Sequence, residues 1–116
     1  MDYNKEFPNF GYVLGYFHQS WSSVYDWQGK KPDFESVIRY CKTHNGLNRI
    51  VLATNEGTKL INLSLSEEEL EEAVDEFTTS GFSPFNTHRE FFDKVLEILK
   101  EPMEKTKKEF VPEFIG

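Results

Sequence analysis

Residues 9–21 set Phe10, Val13, Leu14, Phe17 and Trp21 at i, i+3, i+4, i+7 and i+11, which is one face of a helix. Asn9 behind Pro8 is placed to cap it. Gly11 and Gly15 each weaken that helix by up to about 1 kcal/mol relative to Ala. Their spacing puts them on one side, where another backbone can approach closely. Residues 22–32 read as a loop. Asp33 then caps a second helix with the stripe Phe34, Val37, Ile38 and Cys41, and Asn45–Gly46 is the expected left-handed stop. Residues 65–80 form the cleanest helix. Ser66 and Glu69 make a capping box, Leu65 and Leu70 stand at staple positions, and Leu70, Ala73, Val74 and Phe77 face inward up to Gly81. Thr87 and Glu90 repeat the box ahead of Phe91, Val95, Ile98 and Leu99, with Pro102 closing the helix.

Residues 47–63 admit two readings. Ile50–Leu52 and Leu60–Leu63 around Asn55–Glu56–Gly57 suit a hairpin, which the β-branched pair and the Asn and Gly punctuation favour locally. Leu47, Ile50, Val51, Thr54, Thr58 and Ile61 also lie on one helical stripe. A tail from about residue 101 mixes Lys and Glu and ends in Phe110, Val111, Phe114 and Ile115, an apolar density that predicts docking on the body.

The chain has 116 residues, the length of a single domain. Eleven Phe, five Tyr and two Trp imply a core built from rings. The net charge of -7 argues against nucleic acid and against an anionic membrane surface as direct partners, and fits a basic partner protein or merely solubility. The lone Cys41 cannot form an internal disulfide and suits a reducing cytoplasm. No basic, apolar leader opens the sequence and no apolar run spans a bilayer, so a cytoplasmic location is expected.

Catalysis needs a nucleophile or an acid–base pair in a cleft. Cys41 and His44, three apart on a helix, are the candidate pair, but Cys41 lies on the apolar stripe, where a thiol is inert. No phosphate loop, nucleophile elbow or metal motif is present, so no catalytic residue, metal or cofactor is assigned. His18 reads as a partly buried histidine bonded to backbone or to Gln19. Tyr25, Asp26 and Trp27 put two large rings in a loop, either as core plugs or as interface anchors. Glu67, Glu68, Glu69, Glu71, Glu72, Asp75 and Glu76 share a helix with no basic residue among them. First-turn acids suit the helix dipole, whereas Asp75 and Glu76 near the C-terminal end do not. Glu68, Glu72 and Asp75 point outward, flanked by Glu71 and Glu76, either as a solvated face or as a docking face.

The run Tyr16-Phe17-His18-Gln19-Ser20-Trp21 behind Phe7-Pro8-Asn9-Phe10 resembles the immunity proteins of bacterial contact-dependent growth inhibition systems, whose first helix carries Tyr-Phe-His-Gln-Asp-Trp. Ser20 stands where those proteins have Asp. The order of the later helices matches loosely across residues 7–100. The resemblance implies a cytoplasmic, mostly helical domain and so tips residues 47–63 to helix. The expected fold is a small all-α bundle, with α+β and a hairpin at 47–63 as the alternative. It further implies a one-to-one complex with the toxic C-terminal domain of a cognate toxin, often a nuclease, whose active site is covered. Opposing charge would assist that, which makes Glu68, Glu71, Glu72, Asp75 and Glu76, with Tyr25, Asp26 and Trp27, the candidate toxin-binding residues. Tyr16, Phe17, His18, Gln19, Ser20 and Trp21 are read as mainly structural. A general acidic adaptor or nucleic-acid mimic, and a small enzyme using Cys41, are the alternative functions.

Overall fold

The computed structural model describes residues 1–18, 20–79 and 84–116. Helices α1 (Tyr3–Glu6) and α2 (Pro8–Leu14) are followed by a 3-10 turn, Gly15–Phe17, and a two-residue strand β1 (Tyr25–Asp26). Then come α3 (Phe34–Thr43), α4 (Leu47–Ile61), α5 (Glu67–Thr78), α6 (His88–Lys100), α7 (Met103–Thr106) and a short strand β2 (Glu113–Phe114). The bundle is mostly helical, with α2 packed against α4 and α5, and α6 packed against α3, α4 and α5. Phe10, Phe17, Phe91 and Phe92 are fully buried at its centre. Phe10 meets Phe92 tilted at 5.7 Å, Phe17 meets Phe91 edge-on at 6.0 Å, and Phe91 stacks on Phe92 at 5.8 Å.

Residues 47–61 are one helix, not a hairpin. The buried stripe is Ile50, Ala53, Gly57 and Leu60, while Leu47 and Val51 are exposed, so the face is rotated from the expected one. Tertiary contacts explain why Asn55–Glu56–Gly57 does not turn. A Cβ on Gly57 would lie 2.6 Å from both Leu96 Cδ2 and a Phe10 ring carbon, so this glycine is where α4 crosses α2 and α6. Glu56 points at the start of α2, where its Oε1 accepts from the Asn9 and Phe10 backbone N–H groups at 2.7 and 3.1 Å. Its Oε2 accepts from the Asn9 side-chain amide at 2.6 Å.

That contact also corrects the first cap. Pro8 is the first helical residue, Phe7 is the cap position, and Asn9 is inside the helix. A helix start leaves N–H groups without intrahelical partners, and a carboxylate from elsewhere in the chain satisfies them as well as a local cap does. The device recurs. Glu76 of α5 accepts from the Asn4 N–H in α1 at 2.8 Å, and Glu67 accepts from the His88 and Arg89 N–H groups of α6 at 2.7 and 3.1 Å. Only the Thr87 half of that second box forms; Glu67 serves the next two N–H groups, not the Thr87 N–H that Glu90 was expected to meet.

The first helix is shorter than its periodicity suggests. It tightens at Gly15 and ends by His18, and the Trp21 N–H bonds back to the His18 carbonyl at 3.0 Å. Trp21 reaches the core through this turn, packing on Phe17 and Trp27 at 5.8 and 6.3 Å. Gly11 and Gly15 do not bring a second backbone into close approach: a Cβ at Gly11 would sit 2.7 Å from Asn4 Oδ1 and 3.0 Å from the Phe77 ring, and one at Gly15 an ordinary 3.9 Å from the Phe77 carbonyl. Asn45–Gly46 is not a left-handed stop. The Asn45 side-chain amide satisfies the Cys41 carbonyl at 2.9 Å, and Gly46, at φ -66°, opens α4. Thr79, at φ 58°, supplies the left-handed end of α5, and Gly81 lies outside the described residues.

The tail docks mainly through backbone. Strand β2 pairs antiparallel with β1, Tyr25 opposite Phe114 and Asp26 opposite Glu113. The Ile115 N–H adds a bond to the Val24 carbonyl at 2.8 Å. Phe110 packs on Trp27 at 6.3 Å, whereas Phe114 and Ile115 stay exposed. A buried polar cluster ties α3 to the end of α6. The Lys42 ammonium donates to the Ile98 and Glu101 carbonyls at 2.8 and 2.6 Å and to Thr106 Oγ1 at 2.9 Å. Arg39 grips the Glu101 carboxylate with two bonds of 3.1 Å.

Candidate functional site

Helix α5 is built from a complete capping box, Ser66 Oγ with the Glu69 N–H and Glu69 Oε1 with the Ser66 N–H. Leu70, Ala73, Val74 and Phe77 are buried, as the spacing required. The acids divide by what they touch. Glu69 closes its own cap, while Glu67 and Glu76 cap α6 and α1. The unfavourable position of Glu76 near a helix C-terminus therefore has a cause inside the fold. Glu68, Glu71, Glu72 and Asp75 are exposed, and their carboxylates have no hydrogen bond or ion pair among the described residues. The field of this face reaches α1. Burial first, then the charges of Glu72, Glu69 and Glu76, push the Tyr3 phenol above its ordinary value.

Tyr25 and Trp27 are 6 % and 8 % exposed, so both rings are core plugs. Tyr25 packs on Tyr40 at 5.1 Å, and the Trp27 indole N–H donates to the Ser22 carbonyl at 2.7 Å. Asp26 is exposed and its carboxylate accepts from the Gln28 N–H at 3.0 Å, which holds Gln28 at φ 52°. Of the three loop residues, only Asp26 offers its side chain freely to a partner.

The Tyr-Phe-His-Gln-Ser-Trp run splits. Phe17 is fully buried and Trp21 half-buried. Tyr16 is half-buried, its hydroxyl accepting from the Asn45 amide at 3.0 Å. His18 is exposed, against the expectation of burial, and its Nδ1 accepts from the Ser20 N–H at 3.2 Å. Gln19 lies outside the described residues. Cys41 and His44 are not brought together. Burial pushes the Cys41 thiol up to about 12, so it stays protonated. The His44 ring stacks on Tyr40 at 3.9 Å, with Nδ1 3.0 Å from the Tyr40 carbonyl. Among the described residues no group of three His, Cys, Asp or Glu is placed to hold a metal, and no helix is long and apolar enough to cross a membrane.

A tyrosine surface beside the run was not anticipated. Tyr12 and Tyr16 sit one turn apart with rings 5.7 Å from each other, and Tyr16 meets Tyr40 at 6.3 Å. The i, i+4 spacing of Tyr12 and Tyr16 was visible in sequence, but the arrival of Tyr40 from α3 and of Phe114 from the tail was not. No protein-family model, curated protein or solved structure matches the chain.

Proposed function

We propose that this chain is a cytoplasmic immunity protein that binds and neutralises the toxic C-terminal domain of a cognate contact-dependent growth inhibition toxin, without catalysis and in a one-to-one complex. The resemblance of residues 7–21 supplies the class. The observation that carries the docking face is the division of acids on α5. Glu67, Glu69 and Glu76 serve the fold, and Glu68, Glu71, Glu72 and Asp75 are left exposed with like charge only. A nuclease presents positive charge to phosphate, so an inhibitor that covers its active site gains from such a face, chiefly in association rate.

The test first reads the gene beside this chain's own, which the proposal requires to encode a large secreted protein, and then uses the C-terminal domain of that protein. Wild type should abolish its toxicity when co-expressed. In stopped flow, raising salt should slow association about tenfold or more, as should Glu68→Lys, Glu72→Lys and Asp75→Lys together. None of the three caps another element, so melting should stay near wild type. Equal rates under all conditions would remove the acidic face as the docking site. Failure to neutralise the toxin, with comparable binding to unrelated basic proteins, would favour the general acidic adaptor.

A further inference from the structure

Between the start of the chain and its tail lies an open cavity of about 490 Å³. Tyr12, Tyr16, Tyr25, Tyr40, Phe114 and His18 dominate its lining, and none of its lining residues is Lys, Arg, Asp or Glu. The rings form a continuous series: Tyr12–Tyr16, Tyr40–Tyr25 and Tyr25–Phe114 meet edge-to-face at 78°, 70° and 72°, and Tyr16–Tyr40 is tilted at 60°. The Tyr25 and Tyr40 hydroxyls have no hydrogen-bond partner among the described residues, and neither is a buried unpaired atom, so both are reached by solvent. Burial pushes the Tyr16 and Tyr25 phenols up, so they remain neutral hydroxyls. The surface already takes one guanidinium from within the chain, with Arg49 Cζ 4.0 Å above the Tyr12 centroid.

We infer that this cavity receives an arginine side chain of the partner protein. The inference rests on the proposed function for the partner's identity, and on the geometry for the chemistry. A ring face carries negative potential, and a guanidinium stacks on it more readily than an ammonium does. Free tyrosine hydroxyls can act as acceptors for its N–H groups. The chain's net charge of -7 favours the approach of a cationic side chain, and Arg49 holds a face of Tyr12 while no cation among the described residues stacks on Tyr16, Tyr25 or Tyr40. An aliphatic occupant would leave those hydroxyls unpaired. The Tyr-Phe-His-Gln-Ser-Trp run then has two tasks: Phe17 and Trp21 hold the core, while Tyr16 and His18 border the receiving cavity.

The probe is N-acetyl-arginine methylamide, titrated into the intact chain at low salt and followed by the aromatic NMR resonances. Its neutral isosteric control is N-acetyl-citrulline methylamide. The tyrosine ring signals should shift and saturate in the millimolar range with the arginine probe, and at least fivefold less with citrulline. Tyr40→Leu and Tyr12→Leu, checked for unchanged melting, should weaken the probe at least fivefold. The same variants should weaken capture of the cognate toxin domain, found as the proposed function requires, about tenfold. A charge-blind response, no response, or toxin capture indifferent to both variants overturns the inference. The probe titration needs no toxin, so it separates failure of the cavity from failure of the immunity reading.

Discussion

Lys42 is 3 % exposed, and its ammonium holds the end of α6. Burial lowers its pKa, and the nearby Glu101 carboxylate opposes that shift. Lys42→Met keeps the length of the side chain and removes its three donors. The Glu101 carbonyl then loses its only protein partner among the described residues, while Ile98 O keeps the Glu101 N–H at 3.1 Å. A buried carbonyl left unpaired costs about 1–3 kcal/mol, and loss of a charge-assisted bond at Ile98 and Thr106 adds to it. Relief of the buried ammonium's desolvation offsets part, leaving a net loss of about 3 kcal/mol. For a domain of this size each kcal/mol shifts the midpoint by about 4 °C, so Tm should fall by about 12 °C. Thermal unfolding by circular dichroism at neutral pH reads this directly, with exposed Lys59→Met as the control, expected within about 0.5 kcal/mol of wild type. A fall no larger than that of the control would mean that water reaches the α6 terminus and that Lys42 is not its cap.

Gly57→Ala should be destabilising by about 1–2 kcal/mol in a urea titration, because its Cβ would lie 2.6 Å from the fully buried Phe10 ring and overpacking outweighs the helix-propensity gain. A stabilised variant would show that α2 can yield at the crossing. Glu101, whose side chain is 7 % exposed, is held near pKa 2, first by its hydrogen bonds from Arg39. A depressed carboxylate stabilises fully above its unfolded value and loses that contribution as pH falls through the folded one. The unfolding free energy from urea titrations should therefore drop between about pH 5 and pH 2, by on the order of 3 kcal/mol from this group. Glu101→Gln should flatten that slope, and an unchanged slope would assign acid unfolding to other carboxylates.

Legibility in the sequence followed the range of the interaction. Asp33, Ser66 with Glu69, and the stripes of α3, α5 and α6 were readable because each depends on residues within one or two turns. Residues 47–61 were not, since Asn-Glu-Gly is turn chemistry until Glu56 finds α2 and Gly57 finds Phe10 and Leu96, about forty positions away on either side. The same limit blurred the acidic helix. Periodicity assigns an outward direction to Glu76, but not the Asn4 N–H that it meets. Tyr25 and Trp27 were undecided between plug and anchor for want of the tail, whose pairing with β1 depends on chain closure across the whole domain.

The borrowed carboxylates at the starts of α1, α2 and α6 bear on how the chain folds. Their donors and acceptors are separated by 72, 47 and 21 positions for Asn4–Glu76, Asn9–Glu56 and His88–Glu67. Helical domains fold fast when their contacts are local, and these are not. Peptides spanning α1 and α2 lack the acids that complete them, so their amides gain protection only when α4 and α5 dock. Hydrogen exchange at Asn9 and Phe10 then reports the opening of the bundle, not the fraying of a short helix.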